Sequence, residues 1–400
     1  MRKKLAITGN EAVAYAMKQI NPDVVAAYPI TPATEIVQIF SQYVADGEVN
    51  TEFVAVESEH SAMSATIGAS AAGSRAMTAT SSQGLALMFE MLYIASALRL
   101  PIVMPEVNRS LSAPINIHAD HSDTMGARDC GWLQIYCENS QEAYDSLIQA
   151  VRIAEESLLP IMVTIDGFII SHAMEAVDTF DNKEVQNFIG KYKPAHPLLD
   201  IKHPITIGAI DFNDYYFEHK RSQIEAMNNV EPVILKINEE FKKSFGRGYG
   251  LFEEYMMQDA ETAIVVIGST AGTAKVAVDN LRKQGKKVGL LRLRVFRPFP
   301  AEKLSKALSH LKAVAVLDRS TGMNAYAGPV CTEVASSLYT HSDLPASQQA
   351  GKKPKILNYI YGLGGRDIFV EDIQKVYVDL ENVAKGEKTE KLINYIGVRE

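Results

Sequence analysis

The feature that most constrains this chain is an alternation, over its first two hundred residues, of short β-like runs with helical stretches. AVAYAMKQI has helical spacing, and DVVAAYPI reads as a strand entering a proline-flanked turn. TEFVAV and RAMTATSS read as strands, followed by ESEHSAMSATIGASAAG and GLALMFEMLYIASALR as helices. LPIVMPEV and LPIMVTIDGF are further strands. Such an order predicts an α/β fold, a parallel sheet flanked by helices. Residues 176–215 lose periodicity, carry Pro194, Pro197 and Pro204, and are expected as an extended excursion. Helical spacing returns over 217–245. From Glu261 the pattern is strand, helix, strand, turn, helix, strand, which predicts a separate, smaller α/β domain. The expected organisation is a first domain over 1–240, a linker over 241–260 and a second domain over 261–400.

Composition removes several function classes. A net charge of −8 argues against a general nucleic-acid surface, because phosphate binding needs a basic face. The most apolar long window, Leu85 to Met104, is broken by Glu90 and Arg99, so no membrane span is expected. The opening MRKKLAITGNEAVAYAM lacks the apolar core of a signal peptide, and a cytoplasmic location is expected. The three cysteines, Cys130, Cys137 and Cys331, form no C-x-x-C pair. One iron–sulfur cluster takes four thiolates, so this chain is not expected to hold one alone.

Four motifs carry chemistry. In Tyr28-Pro29-Ile30-Thr31-Pro32, Thr31 falls at the carboxyl end of a strand, where open parallel sheets bind ligands. Taken alone, the spacing favours a plainer role, with Thr31 capping a helix and Pro32 in its first turn. In Glu57-Ser58-Glu59-His60 a carboxyl opens a helix of small residues that a cofactor or another backbone can approach closely. The plain reading is an acid satisfying the helix dipole. In Asn108-Arg109-Ser110-Leu111-Ser112, Arg109 can fork onto a carboxylate or join an ordinary ion pair. His118-Ala119-Asp120-His121-Ser122-Asp123 lacks the spacing of a metal site and reads as a hydrogen-bonded loop. A weaker signal, Gly268-Ser269-Thr270-Ala271-Gly272-Thr273, puts backbone N–H groups at a helix start, where an anion can sit.

In combination these residues are more specific. TGNEAVAYAM, AAYPITPATEI, VESEHSAMSATIGASAAGSRAMTATSSQGLALMFEMLYIA, NRSLSAPINIHADHSDTMGARDCGW, DGFIISH, YGLFEEY, GSTAGTAK, LRLRVFRPFP and LDRS follow one another in order. The series resembles the α subunit of the 2-oxoacid:ferredoxin oxidoreductases, nearest the pyruvate enzyme with separate subunits, over most of the chain. The resemblance implies a thiamine pyrimidine-binding domain followed by a domain similar to the C-terminal domain of transketolases. By position, Glu59 matches the glutamate that bonds the aminopyrimidine ring of thiamine diphosphate. Thr31 matches the substrate-facing threonine, Arg109 the arginine that takes the substrate carboxylate, and Pro29 a loop residue whose carbonyl touches the pyrimidine. The implied reaction is coenzyme A-dependent oxidative decarboxylation of pyruvate with reduction of ferredoxin. The chain contains no G-D-G, the usual signature of the diphosphate- and Mg²⁺-holding domain. The resemblance therefore implies a β subunit carrying that domain and a cluster, a γ subunit and a ferredoxin-like δ subunit, with [4Fe-4S] clusters on these partners. Two alternatives stay open: the same reaction on another 2-oxoacid such as 2-oxoisovalerate, or a non-catalytic assembly subunit.

Overall fold

A computed structural model describes residues 2–341, 353–388 and 391–399. Its first eight strands are β1 (Lys3–Thr8), β2 (Val24–Ala27), β3 (Glu52–Ala55), β4 (Ala76–Met77), β5 (Val103–Asn108), β6 (Leu133–Tyr136), β7 (Ile161–Asp166) and β8 (Met174–Thr179). The remainder are β9 (Phe252–Tyr255), β10 (Thr262–Val266), β11 (Val288–Leu293), β12 (Val295–Arg297), β13 (Ala313–Asp318), β14 (Lys355–Ile360) and β15 (Ile393–Tyr395).

The first large sheet runs β12-β6-β7-β5-β4-β2-β3 and is parallel except for β12, which lies antiparallel on β6. Its central strands β5 and β7 are buried at every residue, as parallel strands covered on both faces must be. On one face lie helices Gly9–Ile20, Ser140–Ser157 and Glu231–Phe245, around a core that includes Phe40, Tyr144 and Phe241. On the other lie Glu59–Ala72, Ser82–Leu87 and Phe89–Ala97, packed with Met104, Trp132 and Met162. The helix starts are set by local chemistry. Thr8 and Glu11 form a capping box at Gly9, Ser58 accepts from the Ser61 N–H, and Asn139 accepts from the Glu142 N–H.

The second sheet runs β15-β14-β13-β10-β11-β9, parallel except for β9, with buried cores on both faces. The α/β expectation therefore holds for both halves. Three details differ from what the sequence predicts. The stretch from 176 is not wholly irregular: β8 pairs antiparallel with β1, and helix Asn182–Ile189 follows behind a capping box from Asp181 and Glu184. The second strand of the pattern after Glu261, over KKVGLLRLRVF, is not one strand but two, β11 in the second sheet and β12 in the first. Residues 241–260, expected as a linker, hold the end of helix Glu231–Phe245 and strand β9.

Candidate active site

Strand order turns back at β2. The chain steps from β2 outward to β3, then returns across β2 to β4 and β5. The loops leaving the carboxyl ends of β2, β4 and β5 flank this switch point, where open α/β sheets bind ligands. They carry Tyr28–Pro32, Thr80–Gly84 and Asn108–Arg109, while Glu59 opens the helix after β3.

Glu59 is 6% exposed, and its carboxylate makes no hydrogen bond or ion pair among the described residues. Buried acids are ordinarily paired, so a carboxylate kept like this is a ready acceptor. Gly84 makes the approach possible: a Cβ there would lie 2.7 Å from Glu59 Oε1 and 2.3 Å from Thr80 Oγ1. The position of the Glu59 carboxyl thus depends on the missing side chain at Gly84.

Thr31 and Pro29 are exposed on the loop after β2. The loop is fixed from behind. Asn10, fully buried, donates its Nδ2 to the Pro32 carbonyl at 2.9 Å, and a Cβ on Gly167 would lie 2.8 Å from Pro32 Cγ. Arg109 brings the second loop against the first. Its Nη1 donates to the Thr31 carbonyl at 2.8 Å and its Nε to the Asn116 carbonyl at 3.0 Å. Nη2 has no partner among the described residues. Burial lowers the pKa of this guanidinium, Asp123 opposing, and an arginine stays charged. The fork expected from sequence is therefore partly spent on backbone carbonyls.

Asp123 joins the two sides. One oxygen accepts the Ser82 N–H at 3.2 Å and the Arg109 N–H at 2.8 Å. The other accepts Asn108 Nδ2 at 3.0 Å and the Thr124 N–H at 2.7 Å. Ser82 in turn donates its hydroxyl to the Ser110 carbonyl at 2.7 Å. Ser82 has φ +49, a left-handed conformation costly to a residue with a Cβ, and this bonding holds it there. Sequence reading passed over Asp123, Ser82 and Gly84. Asp123 lay inside the His/Asp cluster, where only a metal or an anonymous loop was weighed.

That cluster disperses into separate contacts. His121 Nε2 meets Asp166 Oδ1 at 2.7 Å, Asp120 accepts from Ser110 Oγ at 2.6 Å, and the His118 ring packs tilted against Phe168. Among the described residues no group of three or more His, Cys, Asp or Glu is placed to hold a metal. The GSTAGT turn does receive an anion, but an internal one. Asp166, at the end of β7, accepts the Ser269 N–H at 3.0 Å and Arg319 Nη1 at 2.8 Å. Burial pushes the Asp166 carboxyl up, but His121, Arg319 and Ser269 outweigh it and hold it well below the usual range.

Residues 15–239 match the family model described as pyruvate flavodoxin/ferredoxin oxidoreductase, thiamine diphosphate-binding. Residues 260–373 match the model of pyruvate:ferredoxin oxidoreductase core domain II. The chain belongs to the pyruvate flavodoxin/ferredoxin oxidoreductase family. It is 54% identical over 400 residues to a Thermotoga maritima protein named pyruvate synthase subunit PorA, covering 100% of this chain and 99% of that one. A protein of the same name from Methanocaldococcus jannaschii is 48% identical, covering 98% of each. A Pyrococcus abyssi protein named ketoisovalerate oxidoreductase subunit VorA is 41% identical, covering 98% of this chain and 97% of its own length. Among solved structures, the 2-oxoglutarate:ferredoxin oxidoreductase from Magnetococcus marinus shares the fold at TM-score 0.73 and 20% identity, over 94% of this chain and 65% of that chain. A split-gene transketolase, as an inactive β4 tetramer, shares it at TM-score 0.54 and 13% identity, over 96% of this chain and all of the other.

Proposed function

We propose that this family member is the α subunit of a pyruvate:ferredoxin oxidoreductase complex and supplies the pyrimidine half of a shared thiamine diphosphate site. The observation that carries the reading is the buried carboxylate of Glu59, without a partner among the described residues and packed against Gly84, on the same sheet edge as the loops of Thr31 and Arg109. That donor set suits an aminopyrimidine: one acceptor carboxylate, small neighbours and an open carbonyl at Pro29. When bound, thiamine diphosphate supplies the electron sink that decarboxylation of a 2-oxoacid needs.

The chain's own residues then have distinct tasks. Glu59 holds a proton against the pyrimidine ring. Arg109, through Nη2, takes the carboxylate of the oxoacid, and the Thr31 side chain faces the same substrate. Holding the acid in register with the reacting centre converts binding energy into rate. The neutral Thr31 offers no second cation, which favours a monocarboxylate such as pyruvate.

The rest of the reaction belongs to partners: a β subunit with the diphosphate, Mg²⁺ and a [4Fe-4S] cluster, a γ subunit, and a ferredoxin-like δ subunit that passes electrons to ferredoxin. Coenzyme A accepts the acetyl group. The relatives named as subunits support a multi-subunit assembly. Among the described residues no helix is long and apolar enough to cross a membrane, and we assign the complex to the cytoplasm. We place the domains at 1–240 and 261–400. The matched ranges, 15–239 and 260–373, fall on either side of the same interval.

The test is anaerobic purification of the native complex through a tag on this chain, followed by coenzyme A-dependent reduction of a low-potential dye with a panel of 2-oxoacids. Reduction driven by pyruvate is expected. The relative named for ketoisovalerate makes 2-oxoisovalerate the second reading, and preference for it would change only the pocket. An intact, cofactor-loaded complex that reduces nothing with any oxoacid would refute the catalytic role.

A further inference from the structure

Beneath the candidate site lies a second carboxyl group that none of the steps above uses. Glu106 stands in β5, fully buried, and neither of its oxygens meets a well-placed donor among the described residues. The groups acting on it are the Asp123 carboxyl and the Ser82 N–H. That N–H is already given to Asp123. Its neighbours across the sheet are neutral, Thr80 on one side and Thr164 on the other. Tyr136 nearby gives its hydroxyl to Thr124 Oγ1 at 2.8 Å. No Lys, Arg or His pairs with Glu106 among the described residues.

A carboxylate in such a place has nothing to replace its water, and it neutralises instead. Asp123, accepting the Ser82, Arg109 and Thr124 N–H groups and Asn108 Nδ2, is the member of the pair equipped to keep the charge. Burial, with Asp123 beside it, holds the Glu106 carboxyl well above the usual carboxylate range. Burial raises Asp123 as well, but the Arg109 N–H, Asn108 and the Thr124 N–H pull it back.

Building on the site reading above, we propose that Glu106 is a neutral acid donating its proton to Asp123, and that this buried pair is the positioning device for the oxoacid site. The chain of contacts is short. Asp123 holds the Arg109 backbone, and the Arg109 guanidinium holds the Thr31 carbonyl. On the other side Asp123 holds Ser82, two residues before the Gly84 that borders Glu59. An ionised Glu106 would repel Asp123 and loosen both loops at once.

The test compares Glu106→Gln and Glu106→Leu with wild type in the tagged, anaerobically purified complex. Glutamine offers Asp123 an N–H in place of the acid proton; leucine fills the volume and offers none. Glu106→Gln is expected to keep most of the turnover, with the Michaelis constant for pyruvate within a few-fold of wild type. Glu106→Leu is expected to raise that constant by about tenfold or more, with a smaller effect on kcat. Infrared spectra of the resting complex should show a buried carboxylic acid C=O stretch that Glu106→Gln removes. Loss of turnover in the glutamine variant, or no such band in wild type, would overturn the proposal. Should Glu106→Leu fail to fold, the glutamine variant and the band still decide. If the band is present but wild type turns over no oxoacid, the acid pair stands and the functional reading falls.

Discussion

At the scale of single residues, the proposed site turns on a Glu59 carboxylate with no partner among the described residues and an Arg109 partly spent on backbone. Glu59→Ala is expected to lower coenzyme A-dependent dye reduction by about 10²-fold or more, the usual scale of a lost proton-transfer group, while the complex still assembles. Steady-state assay and size-exclusion of the same preparation check both halves, and wild-type activity would end the assignment of Glu59. Thr31, Glu59 and Arg109 stand out in short motifs beside strand ends, but spacing alone gives Thr31 and Glu59 plain capping and helix-dipole roles, and it is the resemblance of the whole series that proposes them for the site. Asp123, Ser82 and Glu106 do not stand out. Asp123 meets Ser82 forty-one positions away, and no local spacing encodes such a contact. Nor does composition reveal that Glu106, one acid among many, is buried without a donor.

At the scale of elements, the amphipathic helices were the most legible, since their apolar spacing survives burial on one face. Several strands were not. β1 and β8 form a partly exposed two-stranded ribbon whose sequences, KKLAIT and MEAVDT, show little apolar alternation, whereas RAMTATSS does read as a strand though β4 spans only two of its residues. The loop that carries Arg109 is also tied to the second sheet. Asn116 Nδ2 donates to the Gly364 carbonyl at 3.1 Å, and the Gly365 N–H donates to the Ala119 carbonyl at 2.7 Å. Gly365 has φ +78, and a Cβ on it would lie 2.4 Å from His118 Cβ. Gly365→Ala is therefore expected to shift this loop and raise the Michaelis constant for the oxoacid by about tenfold, leaving thermal stability within about 2 kcal/mol of wild type. An unchanged constant would show that the second sheet does not support the substrate loop.

A pH dependence belongs to this scale too. Asp318, at the end of β13, accepts the Val330 and Cys331 N–H groups at the start of helix Pro329–Thr340. Burial raises its carboxyl from 3.8 to about 7, against the pull of Val330, Asn358 and Cys331. A raised acid favours the folded state in its protonated form. Its contribution is full below about pH 4 and is lost as pH rises through about 7. Asp318→Asn should flatten the fall in melting temperature between pH 5 and 8, read as slope rather than offset. Parallel slopes for the two proteins would refute the ionisation.

At the scale of the whole molecule, the two sheets are joined by a buried ion cluster. Glu142, on the first domain's helix Ser140–Ser157, accepts Arg292 Nη1 at 2.7 Å and Arg294 Nε at 2.8 Å, and all three side chains are buried. Glu142→Leu would leave Arg294 with no carboxylate partner among the described residues and Arg292 with only Glu138 and Glu253. Removing one partner of a buried pair costs about 3–5 kcal/mol, and a lower denaturation midpoint with a separate transition for the second unit is expected by calorimetry. A single transition at the wild-type temperature would show that the cluster does not couple the units. The α/β class and the two-part plan were legible because both repeat the same strand–helix rhythm. The joint between them was not, because Val295–Arg297 reads as the tail of one strand and serves as the edge of another sheet.

That borrowed edge has a consequence for how the protein is made. The β6 edge of the first sheet stays bare until β12 leaves the ribosome. At synthesis rates of about 5–20 residues per second, the stretch from Tyr136 to Val295 takes roughly ten to thirty seconds. For that interval every nascent chain carries an open strand edge, a template for pairing with a neighbour on the same polysome. Holding factors that shield β6 should raise the yield of recombinant protein more than slower induction does.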